Sequence, residues 1–166
     1  MLTVKCLPTG KWWENCYVVS DAKKIAIVID PGEDAQTIID YIKSEKLDVK
    51  AILNTHAHYD HVGAVSDIKS HFGVAFYLHK NDFKLLKQAN FYRAIFEGQR
   101  VIQIPEVDVD LSEIQTLKFG GIAVTVLETH GHTAGSVSFL IDKNLFVGDT
   151  IIARKVGRTD LPGSDP

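Results

Sequence analysis

The chain has 166 residues, 45% of them hydrophobic, and its 18 basic and 21 acidic side chains give a formal net charge of −3. This is enough apolar material for one core, so we expect a single domain over residues 1–166. No basic block suggests nucleic-acid binding, and no apolar run reaches the roughly 18 residues that span a bilayer. No secretory signal is recognisable at the N-terminus, so we predict a cytoplasmic protein. Cys6 and Cys16 match no metal or redox spacing and are predicted to be buried thiols.

Predicted strands alternate with predicted helices through the first half of the chain. The strands expected from apolar alternation or short apolar runs are 2–6, 15–20, 25–29, 49–54 and 74–78. The run 25–29 is apolar on both faces and is therefore predicted to be central. The expected helices are 35–46 capped by Asp34, 62–71 ended by Gly73, and 81–88 capped by Asn81.

The second half is richer in strands. Residues 89–118 are the hardest to interpret, and Phe91 to Phe96 fits either a helical turn or a flap. Strands are predicted at 122–127, 136–141 and 145–147. Strands and helices joined by short loops indicate a layered α/β fold, with the strand ends presenting loops at one edge.

The densest set of ligand-type side chains is Thr55 to His61, directly after the buried strand 49–54. Alternate side chains of extended backbone face the same way, so His56 and His58 can converge on one point. Asp60 and His61 are neighbours and need a turn to contribute, and they would then face a second point beside the first. This spacing favours two adjacent metal positions over one closed structural site.

Two later loops also follow apolar strands and carry ligand-type residues. The loop 128–136 contains His130 and His132, and Gly131 and Gly135 allow its backbone to bend tightly around a side chain. In the loop 148–150, Asp149 comes just past a buried strand, where a carboxylate is costly unless it is paired, hydrogen-bonded or bound to metal. Imidazole and carboxylate ligands without a thiolate suit zinc, manganese or iron.

Together these motifs resemble those of the metallo-β-lactamase superfamily. The pattern H-x-H-x-D-H at 56–61 is followed in order by G-H-T at 131–133 and G-D-T at 148–150. The run G-R-T-D-L-P-G at 157–163 is similar to the G-R-T-D-x-P stretch of the glyoxalase II-like branch. The resemblance spans roughly 15–163 and implies an αββα sandwich and metal-dependent hydrolysis.

The first metal ion that the resemblance implies would be held by His56, His58 and His132. Zinc is the expected ion, with iron and manganese as alternatives. Two sites are expected by the same resemblance.

The second implied ion would be held by Asp60 and His61, with Asp149 bridging the two ions. A water between two cations loses a proton near neutral pH and becomes a nucleophile. Asp60 could also orient that water, and the ions would stabilise the developing oxyanion.

One departure from the family concerns this second site. Family members complete it with a histidine in a late P-G-H-G-type loop, which has no counterpart before Pro166. We therefore expect the closing C-terminal elements of the sandwich to be lacking, and favour a truncated product over a single-metal site or a ligand from a second chain. Core surface left uncovered would lower stability or cause self-association.

Further residues are candidates for substrate binding. Lys155 and Arg158 follow the third loop and could hold an anionic substrate, although Arg158 could equally pair with Asp160. Tyr59 is expected in the wall of the cleft, and Trp12-Trp13 fits either a core plug or a flap over the site.

Three other histidines lie outside the implied ligand set. His130 stands where the family has proline and fits either a solvated loop or support for the site. His79 fits a structural role or the lining of the cleft, and His71 is expected at the surface end of a helix.

The resemblance predicts a hydrolase that cleaves a thioester such as S-D-lactoylglutathione, using metal-bound hydroxide as the nucleophile. A second hypothesis is a persulfide dioxygenase with one iron held by His56, His132 and Asp149. A third is a truncated, catalytically inert relative that binds one metal ion or none. The substrate rests on resemblance alone, because this superfamily hosts many chemistries.

Overall fold

The computed structural model describes residues 1–98 and 101–165. Its strands are β1 (Thr3–Thr9), β2 (Glu14–Ser20), β3 (Ile25–Ile29), β4 (Asp48–Leu53), β5 (Ala75–Leu78), β6 (Val109–Asp110), β7 (Thr116–Phe119), β8 (Ile122–Glu128), β9 (Val137–Ile141), β10 (Asn144–Phe146), β11 (Ile151–Ile152) and β12 (Lys155–Val156). Its α-helices are α1 (Ala35–Ser44), α2 (Tyr59–Val62), α3 (Val65–Phe72), α4 (Phe83–Lys87) and α5 (Ala89–Glu97). Single turns of 3-10 helix cover Lys80–Asp82 and Gly148–Thr150.

The first sheet contains six strands in the order β1-β2-β3-β4-β5-β6. Its first three strands are antiparallel neighbours, whereas β3 to β6 run parallel to one another. The carboxyl ends of β3 and β4 therefore lie at the same edge of the sheet. Asp30 and the histidine loop both leave the sheet at this edge, where ligand sites of parallel sheets commonly form.

The central strand β3 divides the core in two, as its apolar sequence on both faces predicts. Ala26 and Val28 pack with the buried face of the helices, which includes Ile38 of α1. Ile27 and Ile29 pack instead against the second sheet. Each face of β3 thus has its own apolar partner, which explains why the strand lacks polar side chains.

The second sheet is antiparallel, in the order β10-β9-β8-β7, and its Phe139 belongs to the cluster between the sheets. Among the described residues, the buried side chains of α1 to α5 join only the cluster on the far side of the first sheet. Leu140 and Leu145 are cross-strand partners on the outer face of the second sheet, 37% and 51% exposed. The layers thus run helices, sheet, sheet, and the predicted layered α/β fold is confirmed.

Neither predicted helix cap forms its side-chain bond. Asp34 is the N-cap residue of α1, as predicted, and its backbone carbonyl accepts the N–H of Thr37, but its side chain accepts the N–H of Gly10 at 2.9 Å instead. Asn81 does not cap α4, since α4 begins at Phe83 and the side-chain amide of Asn81 donates to the carbonyl of Ala134. Both side chains tie neighbouring loops together, and these tertiary contacts replace the local ones.

Other elements differ in their limits or burial. The predicted helix 62–71 is interrupted before Val65, so that α2 and α3 are separate. Residues Phe91 to Phe96 lie in helix α5. Cys16 is buried as predicted, but Cys6 is exposed because β1 is an edge strand with little cover. No helix in residues 1–98 and 101–165 is both long and apolar enough to cross a membrane.

The cluster between the sheets supplies a direct test of this packing. Replacing the fully buried Phe139 with alanine should lower the free energy of unfolding by about 3–5 kcal/mol, because a cavity is left between the sheets. The neighbouring Leu140→Ala, on the outer face, should cost less than about 1 kcal/mol. Urea unfolding of both variants in chelator measures the difference, and equal losses would contradict the assigned faces.

Candidate metal centre

The histidine loop is held at the sheet edge by Asn54, the first residue after β4. Its backbone N–H donates to the carbonyl of Tyr77 on the adjacent strand. Its side-chain amide donates to the carbonyl of His61 at 2.7 Å, which closes the loop on itself. The short helix α2 supplies the turn expected at Asp60 and His61, and it brings His61 back beside His56, with ring centroids 4.1 Å apart.

The two other predicted loops converge on the same edge. The N–H of Val137 donates to the carbonyl of Thr55 at 2.9 Å, which fixes the start of β9 beside the histidine loop. Gly148 has a φ of 50°, and a Cβ at this position would lie 2.2 Å from Thr55 Oγ1. Only glycine therefore lets the loop carrying Asp149 approach so closely.

His56, His58 and His132 form a compact group in which one ring nitrogen of each lies within 4.8 Å of the others. One nitrogen of each ring faces a hydrogen-bond acceptor: His132 Nδ1 is 2.8 Å from the carbonyl of Arg158, and His58 Nε2 is 3.0 Å from that of Pro162. His56 Nδ1 is 3.0 Å from Thr55 Oγ1, whose own proton goes to Asp30. These contacts assign the protons and leave the opposite nitrogens unprotonated.

The inward-facing nitrogens of this group need a cation. His58 Nδ1 lies 2.9 Å from His132 Nε2, so two lone pairs face each other at hydrogen-bond distance. His56 Nε2 is buried and has no hydrogen-bond partner among the described residues. Both features are costly as they stand, and a shared cation removes both. The three imidazoles thus fit a metal ion that accepts nitrogen ligands.

Burial lowers the pKa of two histidines of this group, His56 and His58. Desolvation lowers the pKa of His56 well below its usual range, and the neighbouring histidines lower it further. Desolvation and His132 lower the pKa of His58 to about 4. Neutral imidazole is the form that binds metal, so no proton has to leave His56 or His58 near pH 7.

A second group surrounds His61. Its Nδ1 lies 3.2 Å from Asp30 Oδ2, and its Nε2 lies 3.4 Å from Asp149 Oδ1. Asp30, His56 and His61 form the second set of potential ligands within 4.8 Å of one another. Asp149 also reaches the first group, since its Oδ2 lies 3.6 Å from His132 Nε2. Asp149 thus lies between the two groups, and its role as a bridge stays a prediction.

Carboxylates surround His61, whereas the first group consists of three imidazoles. Burial alone would lower the pKa of His61, but the carboxylates of Asp149 and Asp30 raise it well above normal. Burial and nearby Asp30 raise the pKa of Glu14 to about 8, against the opposing effect of His61, 3.8 Å away. This excess of carboxylates beside His61 fits a further cation.

The remaining predicted site residues are not all in the centre. Asp60 lines both adjoining clefts together with Asp149, but it joins neither three-residue ligand group among the described residues. Tyr59 and Arg158 line the cleft of about 180 Å³ beside His58. Lys155 is exposed on β12 and is not among the described residues lining either cleft.

A third cluster joins His79, Glu128 and His130. His79 Nδ1 accepts the N–H of Asn81 at 3.2 Å, so the neutral ring carries its proton on Nε2, which faces Glu128 at 3.7 Å. A ring protonated toward its neighbours offers no lone pair to a metal ion. The geometry of this cluster therefore fits a set of polar contacts better than a metal site.

Two carboxylates at the centre were not foreseen from the sequence. Asp30 accepts the N–H and the hydroxyl of Thr55 at 2.7 and 2.6 Å. Asp82 accepts the N–H of Ala57 and the hydroxyl of Thr133, and its other oxygen accepts the N–H of Gly135. Asp30 could have been suspected because it ends a strand parallel to β4, whereas nothing near Asp82 in the sequence signals its role.

Asp82 joins the two loops that carry the histidines. Ala57 lies between His56 and His58, and Thr133 follows His132, so one buried carboxylate holds both ligand segments at 2.8–2.9 Å. A Cβ at Gly135 would lie 2.7 Å from this carboxylate. The predicted tight bend at Gly135 is therefore a bend around Asp82.

Comparison with known proteins places this geometry in a family. The profile of the Metallo-beta-lactamase superfamily matches residues 12–166. Hydroxyacylglutathione hydrolase GloC of Haemophilus influenzae is 32% identical over 172 residues, which cover 99% of this chain and 79% of that protein. The crystal structure of the BLEG-1 B3 metallo-beta-lactamase is 36% identical, with a TM-score of 0.91 over 98% of this chain and 79% of that one. TTHA1623, solved in a di-iron-bound form, is 33% identical, with a TM-score of 0.86 and coverage of 98% and 80%.

Removing the Asp82 carboxylate should weaken metal binding. We expect Asp82→Ala to lower zinc affinity about 10–100-fold, because the two ligand loops lose their common acceptor. Asp82→Asn keeps one acceptor oxygen, so its zinc affinity should lie between those of the wild type and Asp82→Ala. Competition with a chromophoric chelator measures the affinity.

The matched control for Asp82 is Asp108→Ala. Asp108 also accepts a backbone N–H, from Phe76 at 2.7 Å, but it belongs to neither ligand-bearing loop. Its removal should leave zinc affinity within about two-fold, since it is not coupled to the ligands. Equal losses of affinity in the two alanine variants would refute the role given to Asp82.

The depressed pKa of His58 predicts acid-sensitive stability of the metal-free protein. Between pH 6.5 and its folded pKa of about 4, the unfolded chain binds a proton that the folded chain does not. The free energy of unfolding should therefore fall as the pH falls through this range, and fall less steeply in His58→Gln. Urea unfolding in chelator at pH 7 and pH 5 measures the slope.

The exposed His71→Gln serves as control in this comparison and should keep the wild-type slope. The raised pKa of His61 contributes with the opposite sign, since its stabilisation is lost as the pH rises. This contribution is common to all three proteins and cancels. An unchanged slope in His58→Gln would show that burial does not depress this pKa.

Proposed function

We propose that this chain, which belongs to the metallo-β-lactamase superfamily, is a metal-dependent hydrolase that cleaves thioesters. The observation that carries the proposal is the pair of facing nitrogens of His58 and His132, 2.9 Å apart, beside the unpartnered His56 Nε2. Similarity to a hydroxyacylglutathione hydrolase over 99% of the chain supports the glyoxalase II-like branch. A thioester such as S-D-lactoylglutathione is therefore the first substrate to test.

The proposed ligands are the three histidines of the first group together with His61, Asp60 and Asp149 beside it. His56, His58 and His132 would hold one ion, and His61 and Asp60 the other, with Asp149 between them. Zinc is the ion we propose first, and iron is the alternative. When bound, such ions lower the pKa of water toward 7 and polarise a carbonyl oxygen.

The protein's own groups orient the ligands. The carbonyls of Arg158 and Pro162 accept hydrogen bonds from His132 and His58. These bonds turn the opposite nitrogen of each ring toward the centre. Asp30 orients the ring of His61 in the same way, since its Oδ2 lies 3.2 Å from His61 Nδ1. Such outer contacts raise ligand basicity and fix ring orientation.

Two residues of the cleft bear on the reaction itself. Water oxygen adds to the thioester carbonyl carbon, the C–S bond breaks, and the sulfur leaves and takes up a proton, giving a carboxylic acid and a thiol. Asp60, beside Asp149 in both clefts, is our candidate to hold the attacking water. Burial and Asp60 raise the pKa of Tyr59 to about 12, so its phenol stays protonated and can bind substrate but not act as a base.

The oxidative alternative uses fewer of these groups. A persulfide dioxygenase with one iron would need His56, His132 and Asp149, and His132 Nε2 lies 3.6 Å from Asp149 Oδ2. A single iron held in this way would make no use of His61 and the carboxylates around it. This second group of charges favours two ions and hydrolysis.

Metal content and two assays separate these functions. Protein purified without chelator is analysed for metals, then tested for anaerobic hydrolysis of S-D-lactoylglutathione and for oxygen uptake with glutathione persulfide. Two ions per chain with anaerobic hydrolysis support the proposal. One iron with oxygen uptake supports the dioxygenase, and a metal-loaded chain without either activity supports the inert relative.

Single histidine variants test the ligand assignment. His58→Ala should abolish binding of the first ion and lower kcat/KM at least about 1,000-fold, since the nucleophile is no longer generated. His71→Ala, at the exposed end of α3, should stay within about two-fold of wild type. Comparable losses in the two variants would undermine the assignment of His58 as a ligand.

A further inference from the structure

Beside the metal centre lies a cleft of about 180 Å³ in which four aromatic side chains lie together with Asp60, Arg158, Leu161 and Pro162. Trp12, Tyr59, Tyr92 and Phe96 line it, and His58 and Asp149 form its end toward the metal ligands. Trp12 and Phe96 are 53% and 47% exposed. Large apolar side chains exposed together beside a reactive centre indicate a binding surface for an apolar group.

The aromatic side chains are held in place by specific contacts. The ring of Phe96 stacks over that of the buried Tyr59, with centroids 6.3 Å apart and planes 17° apart. The indole N–H of Trp12 donates to the hydroxyl of Tyr59 at 3.0 Å. Tyr59 follows His58 in the chain, so this aromatic wall is attached directly to a proposed ligand.

Helix α5, which carries Tyr92 and Phe96, is anchored by a buried charge. Arg93 is 4% exposed and pairs with Glu33 and, at 3.5 Å, with Glu97. Glu33 lies just beyond β3, so this pair ties α5 to the edge of the sheet where the site lies. A buried arginine paired in this way fixes the helix, and with it the aromatic wall.

Arg158 is the arginine that lines the cleft, and it is already paired with a carboxylate. Arg158 donates two hydrogen bonds to Asp160, at 2.8 and 3.0 Å. A bidentate pair of this kind occupies the edge of the guanidinium that would otherwise bind a substrate carboxylate. The wall therefore favours an apolar group over a multiply charged one.

We propose that this cleft binds an aromatic or branched apolar acyl group of the thioester, next to the carbonyl that is attacked. The inference rests on the proposed function and adds its substrate class. An apolar cavity of about 150 Å³ accepts benzene, so a cleft of about 180 Å³ has room for one ring. A small, polar hydroxyacyl group would leave the aromatic wall in contact with water.

The test compares acyl groups on one thiol with the metal-loaded chain. Acetyl, lactoyl and phenylacetyl thioesters of N-acetylcysteamine differ only in the group that would enter the cleft. We expect kcat/KM for the phenylacetyl thioester to exceed that for the lactoyl thioester at least about 10-fold, the discrimination typical of an apolar pocket. Equal values would overturn the inference and leave thioester hydrolysis standing.

Variants on α5 test whether the cleft determines the selectivity between acyl groups. Phe96→Ala should lower kcat/KM for the phenylacetyl thioester at least about 10-fold more than for the acetyl thioester. Ile95→Ala is the matched control, since Ile95 is 59% exposed on the same helix but does not line the cleft. An equal loss of selectivity in both variants would count against the cleft.

Binding of the acid products separates this inference from the proposed function. Calorimetry should show phenylacetate binding to the metal-loaded chain at least about 10-fold more tightly than lactate, and Phe96→Ala should remove the difference. If no thioester is hydrolysed, the proposed function fails, but this preference would still establish the aromatic cleft. Equal binding of the two acids would overturn the inference whether or not hydrolysis is seen.

Discussion

The centre depends on one short approach, that of His58 Nδ1 to His132 Nε2 at 2.9 Å. The two residues are 74 positions apart, and each donates its other ring proton to a backbone carbonyl. The facing nitrogens therefore both carry lone pairs, which repel unless a cation lies between them. A cation bound between them would remove this repulsion, so metal binding should also stabilise the fold.

The hydrogen bonds that impose this approach lie outside the ligand set. Asp82 binds both ligand loops with one carboxylate, and Asp30 binds Thr55 and His61. Burial raises the pKa of Asp82, and its bonds to Thr133, Ala57 and Gly135 partly offset this. A buried acceptor that is fully used rigidifies its neighbours, which is what a preorganised site requires.

The two ligand groups have opposite electrostatic character. Desolvation lowers the pKa of His56 and His58 in the first group, whereas the carboxylates of Asp149 and Asp30 raise the pKa of His61 in the second. The first group thus offers lone pairs without proton loss, and the second offers negative charge. This division supports the proposal of two ions that polarise the substrate and activate water side by side.

The sequence by itself determined the ligand-bearing loops and most of the strands. Periodicity located β2 to β5 and β8 to β10, because burial on one or both faces leaves a local pattern. The three motifs at 56–61, 131–133 and 148–150 were recognisable for the same reason, since each lies within a few consecutive residues. The side chains of Asp34 and Asn81 bond to other loops instead of capping helices, which shows the limit of such local reasoning.

Only the tertiary structure decided which side chains support the ligands and what surrounds them. Asp82 meets Ala57 and Thr133 across 25 and 51 positions, and Trp12 meets Tyr59 across 47. Such contacts leave no periodic signal, because a carboxylate or an indole finds its partner only after the sheet has brought distant loops to one edge. Local patterns therefore specify the elements and the ligand types, whereas ring orientation, charge and the aromatic cleft arise from packing between elements far apart in the chain.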